Sequence, residues 1–170
     1  LSSISEKKNA KVTVIGCGEV GKSSISKAIS IGANVTAIDL NEKVLEDLKK
    51  VYGDSINTLK GDTKESTNAI RSADLVIGAV LIPGKKPPVV IKKEDISQME
   101  KGTVIIDVAI DQGGCVEKVK ANTHSEPFTV RDGVLISAIE NLPGAVPKTS
   151  SIELSTANVL DLMILIFMIN

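Results

Sequence analysis

Short runs of apolar and β-branched residues alternate along the chain with longer stretches in which apolar residues recur at helical spacing. The runs predict strands at residues 11–15, 34–39, 55–59, 74–79 and 103–108, and residues 128–130 and 134–136 complete the sheet. The stretches between them predict helices at residues 20–31, 41–51, 64–71 and 94–99, with a final helix at residues 149–168. This alternation is typical of an α/β protein with a parallel sheet.

The order of these elements narrows the topology. Adjacent parallel strands need right-handed crossover connections, so we expect the strand order 3-2-1-4-5-6. The predicted fold class is a doubly wound α/β fold, with a mostly parallel sheet of six to seven strands and helices on both faces. Because the 170-residue chain shows no shift in composition, we expect a single domain over residues 1–170 with a C-terminal helix at residues 150–170.

Charge and composition argue against several classes of partner. The net charge is −1 and aromatic residues make up 2% of the chain, so we expect neither a basic nucleic-acid face nor a base-stacking platform. Cys17, Cys115 and the single histidine, His124, form no metal-binding pattern. The apolar run at residues 159–169 is shorter than the roughly 20 residues that span a bilayer, and residues 1–9 contain no apolar leader. We therefore expect a cytoplasmic protein with reduced thiols and no metal, membrane or nucleic-acid partner.

The first predicted strand runs directly into a glycine-rich turn, Gly16-Cys-Gly-Glu-Val-Gly21, that precedes the first helix. In this strand–turn–helix context, the GxGxxG pattern predicts a dinucleotide-binding site. Gly16 permits the tight turn, Gly18 lets the backbone approach a pyrophosphate, and Gly21 lets helix and strand pack closely. The helix start, at Glu19 and Val20, then offers free N–H groups and a positive dipole end to the phosphates.

The same residues also match the P-loop pattern, because Gly16 is followed at the required spacing by Gly21-Lys22-Ser23. In that interpretation Lys22 reaches the β- and γ-phosphates and Ser23 holds magnesium, with Asp107 as a second metal ligand. A P-loop nucleotide hydrolase or kinase is therefore an alternative function.

Asp39 favours the dinucleotide interpretation. It ends the second predicted strand, where dinucleotide-binding folds carry an acidic residue, about 20 residues after the glycines, that hydrogen-bonds the adenosine ribose. A carboxylate there repels a 2′-phosphate, and Leu40, Asn41 and Glu42 supply no arginine to reverse the preference. We therefore expect a Rossmann-type domain that binds NAD(H) rather than NADP(H).

Four later blocks resemble the alanine dehydrogenase family and its relative, the NAD-binding component of proton-translocating transhydrogenase. They are ADLVIGAVLIPG at residues 73–84, VIIDVAIDQGGCVE at 104–117, Thr123-His124, and NLPGAVPKTS at 141–150. The similarity runs from about residue 11 to residue 157. The sequence AIDQGG at 109–114 resembles the alanine dehydrogenase form, whereas transhydrogenases usually carry a glutamate-containing sequence there. The transhydrogenase component is therefore an alternative.

The resemblance implies the family's reaction, the reversible oxidative deamination of L-alanine to pyruvate and ammonia with NAD. Asp111 resembles the catalytic aspartate, and its chemistry agrees, because adding water to an iminium and releasing ammonia needs proton transfers near the nicotinamide. Asn141 resembles an asparagine that lies near the nicotinamide and the substrate. Apolar positions that flank the cofactor in the family correspond to Val80, Leu81, Ile139 and Leu142.

The resemblance also implies what the sequence lacks. The family's substrate-binding arginine, catalytic lysine and catalytic histidine lie in a separate substrate domain, which we do not find in these residues. We therefore expect NAD(H) binding without turnover, with L-alanine and pyruvate bound only when a substrate domain is supplied. Since the family assembles through its cofactor domains, a homo-oligomer is expected. A non-catalytic Rossmann module that binds a partner through its apolar C-terminal helix is a further alternative.

Overall fold

The computed structural model describes residues 9–153 and confirms the predicted α/β architecture. The strands are β1 (Lys11–Ile15), β2 (Asn34–Asp39), β3 (Ile56–Lys60), β4 (Leu75–Gly78), β5 (Val104–Asp107), β6 (Thr129–Arg131) and β7 (Val134–Ser137). The described residues contain the α-helices α1 (Glu19–Ser30), α2 (Glu42–Tyr52), α3 (Lys64–Arg71) and α4 (Lys93–Ile96), and a further helical segment begins at residue 147. All seven strands form one sheet in the order β3-β2-β1-β4-β5-β7-β6.

The predicted strand order is confirmed for the first five strands, whereas the sixth position is taken by β7. Asp132 and Gly133 both have positive φ angles, 53° and 84°, as a type I′ hairpin turn requires. The chain therefore folds back on itself, and β6 pairs antiparallel with β7 at the outer edge of the sheet. The other pairs in the sheet are parallel, including β5 with β7.

Local signals set most helix boundaries. The side chain of Asn41 accepts a hydrogen bond from the N–H of Lys43 at 3.1 Å and caps α2, as predicted. Gly32 follows α1 with a φ of 82°, which confirms the predicted glycine stop. The fourth helix is shorter than predicted, because i→i+3 bonds from Gln98 and Met99 tighten its last turn.

Helices cover both faces of the sheet, because alternate strand residues point to opposite sides. One buried cluster joins β1–β3 to α1 and α2 and contains Val12, Val14, Val35, Ala37, Ile56, Ile25, Ala28, Leu45 and Leu48. The cluster on the opposite face joins β1, β2, β4, β5 and β7 to α3 and α4, and contains Ile15, Ile38, Val76, Ile105, Ile136, Ile70 and Ile96. Both faces are buried, as a doubly wound sheet requires.

The described residues divide into two units, and the division falls between Glu140 and Asn141. In the second unit, a 3₁₀ turn at Leu142–Ala145 leads into helical residues 147–153. Ser150 supports this start, because its N–H donates to Val146 O at 3.0 Å and its hydroxyl to Pro143 O at 2.8 Å. The predicted final helix thus begins at residue 147 rather than 149, and residues 154–168 lie outside the described residues. In the described part of the chain, no helix has the length and apolarity to cross a membrane.

Candidate functional site

The glycine turn lies where the strand order reverses. β1 pairs with β2 on one side and with β4 on the other, so the connections after β1 and β4 separate and leave a crevice at their carboxyl ends. Gly16, the first residue after β1, has a φ of 87°, and a Cβ built on it would lie 2.6 Å from the carbonyl oxygen of Ala79. The close approach of this turn to the end of β4 therefore requires glycine.

The other two glycines of the turn have different surroundings. Gly21 is buried in α1, where a Cβ would collide with the carbonyl oxygen of Gly16. Gly18 is exposed at the N-cap of α1, and nothing lies within 4 Å of a Cβ built on it. Internal packing thus explains the glycine at position 21 but not the one at position 18. A ligand that approaches the backbone at Gly18 would explain it.

Asp39, the last residue of β2, contacts this turn directly. Its Oδ2 accepts a hydrogen bond from the N–H of Cys17 at 2.7 Å, and its Oδ1 accepts one from the N–H of Asn41 at 2.8 Å. Each carboxylate oxygen keeps further acceptor capacity, which a ligand hydroxyl can use. Asp39 is therefore both an anchor of the glycine turn and an acceptor beside Gly18.

The thiol of Cys17 lies beneath the turn, with its side chain 2% exposed. It donates a long hydrogen bond to the carbonyl oxygen of Ile38 at 3.7 Å. Burial, and to a lesser extent the neighbouring Asp39 carboxylate, raise the pKa of Cys17 to about 12. Because the thiol stays protonated near neutral pH, it is a packing group rather than a nucleophile.

The geometry of this segment does not fit a P-loop. α1 begins at Glu19, so Lys22 and Ser23 lie inside the helix and too few residues remain to wrap a phosphate. Lys22 Nζ pairs with Glu19 Oε1 at 3.3 Å on the exposed helix surface. Asp107, the other residue of that interpretation, is fully buried and holds backbone N–H groups. Across residues 9–153, no group of three or more His, Cys, Asp or Glu side chains is arranged to hold a metal ion.

Exposed apolar side chains border the glycine turn. Val20 is 51% exposed at the start of α1, and Leu81 is 61% exposed after β4, next to the half-buried Val80. Leu40, which the sequence interpretation did not include, is 64% exposed beside Asp39. The sequence signal that could have identified Leu40 is its position directly after the aspartate at the end of β2. These side chains offer apolar surface to a planar ligand group.

Asp111 lies at the carboxyl end of β5, in a second loop at the edge of the crevice. It is exposed within the 3₁₀ turn Ile110–Gln112. Gly113 and Gly114 follow with φ angles of 107° and 73°, so the chain reverses sharply after the turn. The side chain of Lys86, from the loop after β4, crosses Gly113, with its Cε 2.7 Å from a Cβ built there. The loops after β4 and β5 therefore contact each other.

The last three predicted residues follow β7. Ile139 is half-buried beside Asn122, whose N–H donates to Ala138 O at 2.7 Å and whose Oδ1 accepts from Ala138 N at 2.9 Å. Asn141, which has a left-handed φ of 52°, and Leu142 begin the second unit. The glycine turn, Asp39, Val80 and Leu81 thus meet at the ends of β1, β2 and β4, and Asp111 is at the end of β5.

Comparison with known proteins agrees with the family resemblance seen in the sequence. The family model described as "Alanine dehydrogenase/PNT, C-terminal domain" matches residues 1–166. An alanine dehydrogenase of Bacillus subtilis (strain 168) is 47% identical over 150 residues, which cover 88% of this chain and 40% of that protein. The chain thus spans about 40% of the length of the curated relatives it matches.

Solved structures agree with the sequence comparison. An L-alanine dehydrogenase structure superposes with a TM-score of 0.85 at 37% identity, over 91% of this chain and 43% of that chain. A transhydrogenase from Sinorhizobium meliloti superposes with a TM-score of 0.74 at 28% identity, over 84% of this chain and 40% of that chain. Both the sequence identity and the structural overlap are therefore higher for the alanine dehydrogenase than for the transhydrogenase.

Proposed function

This chain belongs to the alanine dehydrogenase/PNT C-terminal domain family, and from that premise we propose that it binds NAD(H) as the cofactor-binding part of an L-alanine dehydrogenase. The observation that carries the proposal is the open space over Gly18, next to the carboxylate of Asp39. A backbone left free of side chains beside a hydrogen-bond acceptor is what a dinucleotide needs at this point of the fold.

The turn supplies what a pyrophosphate requires. Gly16, Gly18 and Gly21 bring the backbone close, and Glu19 and Val20 begin a helix whose first N–H groups lack partners within the helix. These N–H groups and the positive end of the α1 dipole favour an anion. Glu19 and Lys22 pair on the exposed helix surface, where solvent screens both charges, so neither contributes much to anion binding.

Asp39 sets the preference for NAD(H) over NADP(H). Its carboxylate accepts the hydroxyl groups of an adenosine ribose and repels a 2′-phosphate. We assign Val80, Leu81, Ile139 and Leu142 to apolar contacts with the cofactor, and the exposed position of Leu81 supports its assignment. Leu40 adds an apolar surface on the adenosine side.

For the reaction, NAD supplies a hydride acceptor, and we assign the proton chemistry to this chain's Asp111. Its carboxylate lies at the carboxyl end of β5, exposed to the crevice edge, where it can accept and return a proton. Asn141 is assigned to hydrogen bonding near the nicotinamide and the substrate. L-alanine and pyruvate binding is proposed for the whole protein, with a substrate domain contributing the remaining groups.

We further propose that residues 1–170 act as one cofactor domain with a C-terminal helix, and that the protein is a cytoplasmic homo-oligomer. Two buried cysteines, Cys17 and Cys115, support a reducing compartment, because neither forms a disulfide. Size-exclusion chromatography with light scattering tests the assembly, and cell fractionation tests the location. A monomeric mass, or a membrane-bound fraction, would contradict these assignments.

A titration of the purified chain tests cofactor binding. We expect saturable NADH binding by nicotinamide fluorescence, with weaker binding of NADPH and no response to Mg-ATP. Asp39→Ala should weaken NADH binding about tenfold or more, since it removes the ribose acceptor and the anchor of the turn. Asp54→Ala is the matched control, because it removes the same charge at the amino end of β3, away from the crevice. Lys22→Ala should leave NADH binding within about twofold.

The possible outcomes separate the competing functions. Magnesium-dependent ATP binding that is lost in Lys22→Ala would support a P-loop enzyme and overturn the proposal. Absence of any NADH binding at millimolar concentration would favour a Rossmann module that binds only a protein partner. The transhydrogenase alternative predicts no alanine-dependent reduction of NAD when a substrate domain is supplied.

A further inference from the structure

Asp107 is a fully buried carboxylate that accepts hydrogen bonds on both of its oxygens. It is the last residue of β5, it is 0% exposed, and it accepts four hydrogen bonds. Its Oδ1 accepts from Ala109 N at 3.1 Å and from the Cys115 thiol at 3.3 Å. Its Oδ2 accepts from Cys115 N at 2.8 Å and from Val116 N at 3.1 Å. One buried side chain thus binds both ends of the loop at residues 108–116.

The loop is folded tightly around this carboxylate. A Cβ built on Gly114 would lie 2.9 Å from Asp107 Oδ2, so only glycine fits there. Gly113 N donates to Ile110 O at 2.8 Å and Gly114 N to Ala109 O at 3.0 Å, which closes the 3₁₀ turn that carries Asp111. The orientation of Asp111 therefore depends on groups that Asp107 holds.

The far end of the loop is fixed to its neighbours through Cys115. The Sγ atom of Cys115 contacts the position that a Cβ on Gly78, at the end of β4, would occupy. The carbonyl oxygen of Cys115 accepts from Val90 N at 2.8 Å and from Ile91 N at 3.2 Å. Burial first, and then the Asp107 carboxylate, raise the pKa of the Cys115 thiol, so it stays a hydrogen-bond donor.

The position of the loop in the sheet indicates which end of a bound dinucleotide it would face. β2, which ends in Asp39, and β5 are separated by β1 and β4. Three spacings of about 4.8 Å place the two strands about 14 Å apart, a separation suited to the two ends of a dinucleotide. A defect in the loop after β5 should therefore affect the nicotinamide end and spare the adenosine end.

We propose that Asp107 is a positioning residue that orients Asp111 and shapes the nicotinamide side of the cofactor site. The inference rests on the proposed NAD(H) binding and adds a residue that acts through the loop rather than on the ligand. Its four donors need a group that only accepts hydrogen bonds. Asparagine has the same size but presents an NH₂ group to half of these donors.

Calorimetric titration of the purified chain with NADH and with ADP-ribose, which lacks the nicotinamide, tests the proposal. Asp107→Asn should lower NADH affinity about tenfold, because buried N–H groups lose their acceptor, and change ADP-ribose affinity by less than about twofold. Asp74→Asn is the matched control, since Asp74 also accepts a backbone N–H bond, from Lys11 at 2.7 Å, but at the amino end of β4. It should leave both affinities unchanged.

Hydrogen exchange supplies a readout that needs no ligand. In Asp107→Asn the amides of Ala109, Cys115 and Val116 should exchange faster than in the wild type, while amides of β1 and β2 keep their protection. If Asp107→Asn does not fold, Cys115→Ala, which removes one donor to Asp107, should show the same selective effect at smaller size, about twofold to fivefold in NADH affinity.

The outcomes distinguish this inference from the proposed function. If the wild type binds ADP-ribose and NADH, but Asp107→Asn weakens both equally or neither, the positioning role is overturned and cofactor binding stands. Equal wild-type affinities for NADH and ADP-ribose also overturn it, because the nicotinamide side then contributes no binding. If the wild type binds neither compound, both proposals fail, whatever the exchange rates show.

Discussion

The backbone N–H of Cys17 donates to Asp39 Oδ2 at 2.7 Å, which ties the turn after β1 to the last residue of β2. The same carboxylate accepts from Asn41 N at 2.8 Å, at the start of α2. One side chain therefore organises two backbone segments of the candidate site before any ligand is present. Substitutions of Asp39 should accordingly change the folded protein as well as its affinity for a cofactor.

Asp39→Asn should destabilise the fold by about 1–3 kcal/mol, because the amide offers one acceptor oxygen where two N–H groups need acceptors. Urea unfolding at neutral pH measures the change. Asp62→Asn is the control, since it removes the same charge from an exposed turn residue, and its effect should stay within about 0.5 kcal/mol. Equal stability of Asp39→Asn and the wild type would show that the turn does not depend on this carboxylate.

Two glycines of the turn allow binding to be separated from folding. Gly18→Ala should change the free energy of unfolding by no more than about 1 kcal/mol, because its Cβ meets nothing within 4 Å. It should nevertheless weaken NADH binding about tenfold or more, since the methyl group would enter the space that we propose for the pyrophosphate. Thermal denaturation and NADH titration of the same preparation measure both effects.

Gly16→Ala is the contrasting variant. Its φ of 87° and the nearby Ala79 carbonyl oxygen make a methyl group both strained and crowded. We expect a loss of at least about 2 kcal/mol in stability. If Gly18→Ala bound NADH as tightly as the wild type, the open space over Gly18 would not be the pyrophosphate site.

Much of the fold was predictable because its signals are local. The alternation of apolar runs with amphipathic stretches predicted β1–β5 and α1–α3, and Asn41 and Gly32 marked helix ends through hydrogen bonds to their own neighbours. The position of β7 was not predicted, although Asp132-Gly133 is a hairpin signal in the sequence. The choice between β6 and β7 as partner of β5 depends on contacts between distant segments.

The candidate site was predictable only in part, because some of its features depend on contacts between segments that are distant in the sequence. The motif identified the glycines and Asp39, whose spacing is local to one strand–helix–strand unit. It could not show that Asp39 binds Cys17, or that Asp107 holds Cys115 and Val116, because side-chain contacts across a fold leave no periodic pattern. Leu40 was missed because exposure, rather than residue type, distinguishes it from a core leucine.

The buried thiol of Cys17 predicts a loss of stability at alkaline pH. Its pKa is raised from the ordinary value of 9.0 to about 12, first by burial and then by Asp39. Above pH 9 the unfolded chain releases this proton while the folded chain keeps it, so unfolding becomes easier as pH rises. The contribution is fully present below pH 9 and is lost toward pH 12, at up to about 1.4 kcal/mol per pH unit.

Cys17→Ser isolates this effect, because serine retains a hydroxyl donor for Ile38 O and does not ionise in this range. Urea unfolding of both proteins at pH 8, 9 and 10 gives the comparison, with lysines, Tyr52 and Cys115 unchanged between them. The wild type should lose stability more steeply than the variant above pH 9. Parallel curves would mean that the folded thiol ionises as readily as an unfolded one.

Contact between Gly78 and Cys115 predicts a coupled pair of substitutions at the ends of β4 and β5. A Cβ on Gly78 would overlap Cys115 Sγ, so Gly78→Ala should cost about 1–3 kcal/mol through overpacking. Removing the thiol with Cys115→Ala provides the missing space. The double variant should therefore be more stable than the sum of the two single effects predicts, by about 0.5–3 kcal/mol.

Cys17→Ala gives the matched comparison for this cycle. Cys17 is also a buried cysteine, but it packs in the cluster on the other face of the sheet. Its effect should add to that of Gly78→Ala within about 0.5 kcal/mol, because a Cβ on Gly78 overlaps the thiol of Cys115 and not that of Cys17. If the effects of Gly78→Ala and Cys115→Ala were also additive, the backbone of β4 would move to accommodate the added methyl group. The thiol of Cys115 would then not hold the loop after β5 against β4.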